Sequence, residues 1–221
     1  TKGDGGQDVM MGDLVLTETE IEPVMTKLLA NGIEVTALHN HLLRANPATY
    51  YMHVHGHGDP VALATAIRVA LGESRTPFGP PAPPAPQASL VNLDTVALDN
   101  AIGVKGKVNG GVYQFSVPPK NEITEGGMPV PPAMGTATVI NFQPTGGGKA
   151  AITGDFVIAA DEVNPLIRAL RENGIEVTAI HTHMLNEQPR LFFVHFWANN
   201  DARKLAKGLQ AALAKAASTR S

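Results

Sequence analysis

Ile21, Val24, Met25, Leu28 and Leu29 recur at spacings of three and four, which places them along one face of a helix. Thr17-Glu18-Thr19-Glu20 just ahead of them fits a capping box, in which Thr and the Glu three residues on satisfy orphan amides. Asn31-Gly32 stops the helix, because glycine accepts the left-handed backbone a helix end favours. An apolar run at 14–16 predicts a strand before this helix, and 33–43 predicts a longer one after it. Asn46-Pro47 marks a turn, 50–55 returns as a strand, and Asp59-Pro60 opens a closing helix to about Leu71. Later in the chain the same order recurs: strand 156–159, helix 161–173, strands 175–185 and 191–197, helix 200–217. Upstream of it, 104–108 and 112–117 flank Asn109-Gly110, a strong hairpin signal, and 137–142 and 149–153 add further strands. The pattern predicts an α+β fold with mostly antiparallel sheets covered by helices.

The recurrence extends to the letters. Asn31-Gly32-Ile33-Glu34-Val35-Thr36-Ala37-Leu38-His39 returns as Asn173-Gly174-Ile175-Glu176-Val177-Thr178-Ala179-Ile180-His181. At this offset of 142, residues 12–71 align with 154–213 without a gap, and 23 of the 60 positions are identical. The expected fold is therefore an internally duplicated β-α-β-β-α unit, with a β-rich block before the second copy. Residues 1–75 form the first unit, 76–89 a proline-rich linker, and 90–221 the β-rich block plus the second unit. The run from Thr76 to Pro86 favours an extended polyproline II tether. Only Gly5-Gly6 stands opposite Gly147-Gly148, so symmetry predicts an upstream counterpart of 90–142, and the first unit reads as incomplete at its N-terminus.

Composition narrows the chemistry. With 43% hydrophobic residues a sizeable core is expected, and 22 glycines and 17 prolines predict many turns. A 17% charged fraction with a net charge of −3 carries no electrostatic footprint for nucleic acid or an anionic membrane surface. No run of about 18 apolar residues exists to span a bilayer as a helix. The absence of cysteine excludes disulfides, thiolate metal sites and cysteine nucleophiles.

What remains is histidine: eight residues, all in two short windows. Alternate residues of a strand share a face, so His39 and His41 should be neighbours. A hairpin turning around 46–48 in register i + j = 94 would set His41 opposite His53 and His39 opposite His55. Cross-strand partners lie about 4.5–5.5 Å apart at Cβ, so four imidazoles would converge. In the second stretch His183 would face His195, and His181 would face Trp197. Imidazolium groups at such spacing repel, whereas neutral imidazoles sharing a divalent cation do not. The expected ligands are His39, His41 and His53 with His55 as an optional fourth, and His181, His183 and His195. Zinc suits the nitrogen donors best, and copper and nickel also accept imidazole. The competing reading is a set of hydrogen-bonded core histidines. His57 has no counterpart and reads as a surface residue or as one that supports the ligands from behind. Strand parity puts Glu34 and Glu176 on the face away from the histidines. Asp59 and Asp201 read as helix caps, and Glu187 as an exposed turn residue or a general base. Gly103-Val104-Lys105-Gly106-Lys107 lacks phosphate-loop spacing, and no Gly-x-Ser-x-Gly elbow or His-Glu-x-x-His motif occurs.

Three segments, Gly-Ile-Glu-Val-Thr-Ala-Leu-His-Asn-His-Leu-Leu (32–43), Met-His-Val-His-Gly-His-Gly (52–58) and Asn-Phe-Gln-Pro-Thr-Gly-Gly-Gly (141–148), resemble the LppY/LpqO family. That family, a domain of unknown function numbered 1259, includes bacterial exported proteins and lipoproteins. The resemblance implies an extracytoplasmic protein and supplies no reaction. Two functions follow from the histidines: a metal-dependent enzyme, foremost a zinc hydrolase in which the metal lowers the pKa of bound water, or a non-catalytic metal-handling protein of the cell envelope. A metal-free structural envelope domain is the third reading.

Overall fold

The computed structural model describes residues 8–79 and 91–216; the N-terminal glycines, most of the proline-rich linker and the last five residues lie outside the described residues. The elements in chain order are β1 (Asp8–Thr17), α1 (Glu18–Ala30), β2 (Glu34–His39), β3 (Thr49–Gly58), α2 (Pro60–Leu71) and α3 (Thr95–Ile102). There follow β4 (Lys107–Asn109), β5 (Val112–Val117), β6 (Thr124–Glu125), β7 (Met128–Pro129), β8 (Thr138–Gly146) and β9 (Lys149–Ile158). The chain closes with α4 (Val163–Glu172), β10 (Glu176–His181), β11 (Phe192–Asp201) and α5 (Ala202–Leu213). The class is α+β, and its strand pairs are antiparallel. Among the described residues no helix is long and apolar enough to cross a membrane, which says nothing about a β-barrel.

The described residues pack as two compact units that do not follow chain order. Unit one takes residues 8–79 together with Thr124–Pro129 and His181–Gln188, and unit two takes the rest.

In unit one a three-stranded sheet, β1-β3-β2, carries α1 and α2 on one face. The amphipathic stripe explains the packing: Val24 and Leu28 are fully buried and Ile21 and Met25 pack beside them. Leu29, expected on that stripe, is 58% exposed, because it lies at the edge of the 3.6-residue period. Glu20 caps α1, its carboxylate accepting from the Thr17 N–H and hydroxyl, each at 2.7 Å, and from the Arg75 N–H at 2.7 Å. Asp59 caps α2 by accepting from the Val61 and Ala62 amides, as expected. Strand alternation sends Met52 and Val54 of β3 into the core with Leu16, Ile33 and Leu63. Tyr51, His53, His55 and His57 therefore line the face without helices.

Unit two is built on a six-stranded sheet, β10-β11-β9-β8-β5-β4, whose core holds Phe115, Phe142, Phe156 and Phe196 with Leu166, Leu170, Leu205 and Leu209 of the helices. The Asn109-Gly110 hairpin forms as expected, Asn109 pairing with Val112 around two glycines of positive φ. Helix α3 was not expected from the sequence. It has two turns, too short for a periodic signal, and is held by Asp94 at its start, Gly103 in a left-handed conformation at its end, and buried Leu98 and Ile102.

The two aligned stretches share element order and the register of one strand pair. In unit one β1 pairs with β3 so that Asp13 faces His53, and in unit two β9 pairs with β11 so that Asp155 faces His195. Both partners move by the same 142 positions.

Gly154 sits where β9 crosses β8 and β11, and an added Cβ there would run into the Val139 carbonyl oxygen and the Phe196 ring. A paired backbone cannot retreat as a flexible side chain can. Gly154→Ala is expected to destabilise the protein by about 3 kcal/mol, at the upper end of overpacking costs. Urea denaturation followed by tryptophan fluorescence at Trp197, on β11 itself, checks this; an unchanged midpoint would contradict it.

Candidate metal centre

Three devices bring histidines together in unit one. The first is the alternation of β3, which aims His53 off the helix-free face of its sheet. The second is a bulge in β2. Glu34 and Val35 pair with His55 and Val54, but Ala37, Leu38 and His39 pair with His53, Met52 and Tyr51, leaving Thr36 as the extra residue. Thr36 uses the freedom to donate its hydroxyl to the His183 carbonyl at 2.6 Å. The third is the docking of segment His181–Gln188. It is joined to β6 by paired backbone hydrogen bonds, Thr124 N to Gln188 O at 2.9 Å and Gln188 N to Thr124 O at 2.8 Å. Glu125 adds a carboxylate that accepts the Asn186 N–H at 3.3 Å.

The resulting cluster is tight. His39 lies face to face with His181, ring centroids 3.4 Å apart, and 5.0 Å from His53. His183 stacks on His53 at 4.0 Å. His41 has left the strand, yet its Nε2 comes within 2.8 Å of the His39 Nε2, and its ring lies flat on Tyr51 at 3.5 Å. One donor nitrogen from each of His39, His41, His53 and His181 falls within 4.8 Å of the other three. Nitrogens bound tetrahedrally to one ion at about 2.1 Å lie about 3.4 Å apart, so the wider-spaced rings must rotate inward by about an ångström to close the set. His53 is 5% exposed and its Nε2 is buried without a hydrogen-bond partner. These histidines could hold a metal ion.

Electrostatics reinforce the geometry. Burial, then the charges His181, His41 and His53 would carry, push His39 down to about 2. Burial first and His181 second push His41 down to about 4, and burial with His181 and His41 pushes His53 down to about 3. Burial likewise brings His181 to about 4, against a smaller opposing pull from the Thr182 carbonyl. All four are thus neutral near pH 7, the form in which imidazole offers a lone pair to a metal. Asp13 is shifted the other way, its carboxyl raised by burial to about 6.

The structure revises several sequence-level expectations. The expected strand 33–43 ends at His39, so His41 reaches its neighbour from a loop and not by strand parity. The register is four residues short of i + j = 94: His39 faces Tyr51, and Ala37, not His41, faces His53. His55 faces Glu34 instead of His39, its Nδ1 3.2 Å from the Glu34 carboxylate, and is not in the four-histidine group. Glu34 therefore lies on the histidine face, because the bulge at Thr36 inverts the parity read from sequence. Glu187 is fully buried, not an exposed turn residue. His57 is exposed, as expected. His181 and His183 lie with the histidines of unit one, and His195 is buried in β11 of unit two. Sequence reading missed Asp13 and Thr36 as neighbours of the site, although the repetition of both, as Asp155 and Thr178, was a signal that could have found them.

A profile of the family described as Domain of Unknown Function (DUF1259) matches residues 1–73 and 96–215. No curated protein shows a significant match to the chain.

Depressed histidine pKa values make a stability prediction for the metal-free protein. Unfolded histidines take up protons as pH falls through about 6.5, whereas the folded ones resist until about 4 for His41 and His181 and lower still for His53 and His39. The unfolded state then binds more protons, so stability present above pH 6.5 is expected to drain away between 6.5 and 4. Asp13 opposes part of the loss, since its raised carboxyl takes a proton earlier folded than unfolded. Urea midpoints measured with chelator at pH 7.5, 6.5, 5.5 and 4.5 should fall monotonically below 6.5, and less steeply in His39→Ala/His41→Ala. A flat profile, or the same slope in both proteins, would overturn the assignment of these histidines as neutral in the folded protein.

Proposed function

The chain belongs to the DUF1259 family, and we propose that within it this protein is a metal-binding protein whose unit one holds one divalent transition-metal ion through His39, His41, His53 and His181. The observation that carries the reading is the convergence of four neutral imidazoles within 4.8 Å, one of them with a buried Nε2 that has no protein partner. Leaving a buried polar atom unpaired costs about 1–3 kcal/mol, and a metal removes that cost. Zinc is the first choice for a nitrogen-only set, with copper and nickel next by the same donor chemistry.

The number of imidazoles favours holding a metal over hydrolysing with it. A catalytic zinc keeps an open position for water beside three protein ligands, whereas four protein ligands close the tetrahedron. Hydrolysis would require one imidazole, such as loop-borne His41, to leave the metal and admit water. The aligned stretches, with 23 identities in 60 positions and a common Asp–His register, support descent from a duplicated unit. The resemblance to exported and lipid-anchored bacterial proteins supports a place outside the cytoplasm, and fractionation of cells expressing the full-length protein tests it.

Calorimetric titration with zinc at pH 7.5 is expected to show a saturable site in the wild type. His39→Ala/His41→Ala should weaken it by at least about 100-fold, since two ligands are lost. His55→Ala should leave affinity within about threefold, because that ring is committed to Glu34. Equal losses in both variants would displace the proposed ligand set. Protein purified without added metal that contains less than about 0.2 equivalents of any transition metal, and does not bind zinc, would return the histidines to a structural role.

A further inference from the structure

We infer that Asp13 is the positioning residue of this centre: it accepts the Nδ1–H of His53 and so presents the Nε2 lone pair of that ring to the metal. The inference rests on the metal-binding reading and names the group that makes it work at His53. A neutral imidazole carries its proton on one nitrogen only, and the hydrogen bond made by the other nitrogen decides which is free to ligate.

Three observations point to Asp13. In the β1–β3 ladder it is the residue directly opposite His53, with Met11 and Val15 as its apolar same-face neighbours on β1. Its carboxylate oxygen lies 3.9 Å from the His53 Nδ1, the nitrogen away from the buried and unpartnered Nε2. That distance exceeds a hydrogen bond, but the Asp13 side chain is 39% exposed and free to rotate inward, whereas the His53 ring, 7% exposed, is held by His183 stacked at 4.0 Å. The same sheet already makes such a contact one step along β3. His55 has its Nδ1 at 3.2 Å from the Glu34 carboxylate, and its Nε2 is likewise buried without a partner. The pairing also recurs in unit two, where Asp155 stands opposite His195 in the same register. Carboxylates on flanking strands thus set the histidines of the central strand from both sides.

The test joins a spectroscopic readout to a binding readout. Long-range 1H–15N spectra of the metal-free protein at pH 7.5 are expected to show His53 protonated on Nδ1 in the wild type and a tautomer mixture in Asp13→Ala. Zinc affinity should fall about 10–100-fold in Asp13→Ala, the usual loss when a ligand's orienting partner is removed. Asp13→Asn, which keeps an acceptor oxygen but not the charge, should recover part of both signals and guards against a folding defect in the alanine variant. Nε2-protonated His53 in the wild type, or alanine-variant affinity within twofold of wild type, overturns the assignment. If zinc does not bind the wild type, the metal reading fails alone. The spectra then decide whether Asp13 sets the tautomer, and an Asp13-independent tautomer rejects it.

Discussion

Four imidazoles packed ring to ring can coexist only if none of them is charged, and the rest of unit one is organised around that constraint. At centroid separations of 3.4–6.0 Å, imidazolium rings would repel one another. Burial is the first cause of every depressed pKa in the cluster, and the neighbouring histidines add to it. The protein therefore meets neutral pH with uncharged imidazole nitrogens gathered within 4.8 Å of one another. Such a set is costly as a piece of core and useful as a ligand shell, which is why its chemistry is read as metal binding.

The scaffold supplies this arrangement by modest means. The central strand β3 divides its side chains between two jobs, Met52 and Val54 under the helices and His53 and His55 on the opposite face. A single bulge at Thr36 shifts the parity of β2 so that Glu34 and His39, five residues apart, both come to that face. The same residue fastens the incoming segment through the His183 carbonyl. Gly56 lets the strand sit close under α2, since a side chain there would meet Leu63 at 2.9 Å and Ile33 at 3.1 Å. Rigid backbone thus sets where His39, His53 and His181, the last residue of β10, start, and loops contribute His41 and His183.

One of the four clustered histidines, His181, comes from a part of the chain remote in sequence, and His183, stacked on His53, comes from the same segment. A four-imidazole set built from one hairpin alone would need four strand positions in perfect register, and the bulge shows that register is not kept. Recruiting His181 and His183 on a docked segment relieves that demand, with the backbone pair between Thr124 and Gln188 and the buried Glu125 as fasteners.

Much of this was legible in the amino-acid order, because it depends on local patterns. The helix caps at Glu20 and Asp59, the amphipathic stripe of α1, the Asn109-Gly110 turn, the common order of elements in 12–71 and 154–213, and the choice of histidine as the chemistry-bearing residue all follow from spacing and residue type. Two kinds of information were not legible. Register was one, since a one-residue bulge reverses parity while leaving almost no trace in the alternation around Thr36. Long-range partnership was the other. The pairing of His39 with His181 spans 142 residues, and no periodicity encodes which of two similar hairpin ends will meet. The sequence by itself determined which side chains could bind a metal; only the tertiary structure decided which of them share a centre, because that depends on where distant backbone segments pair.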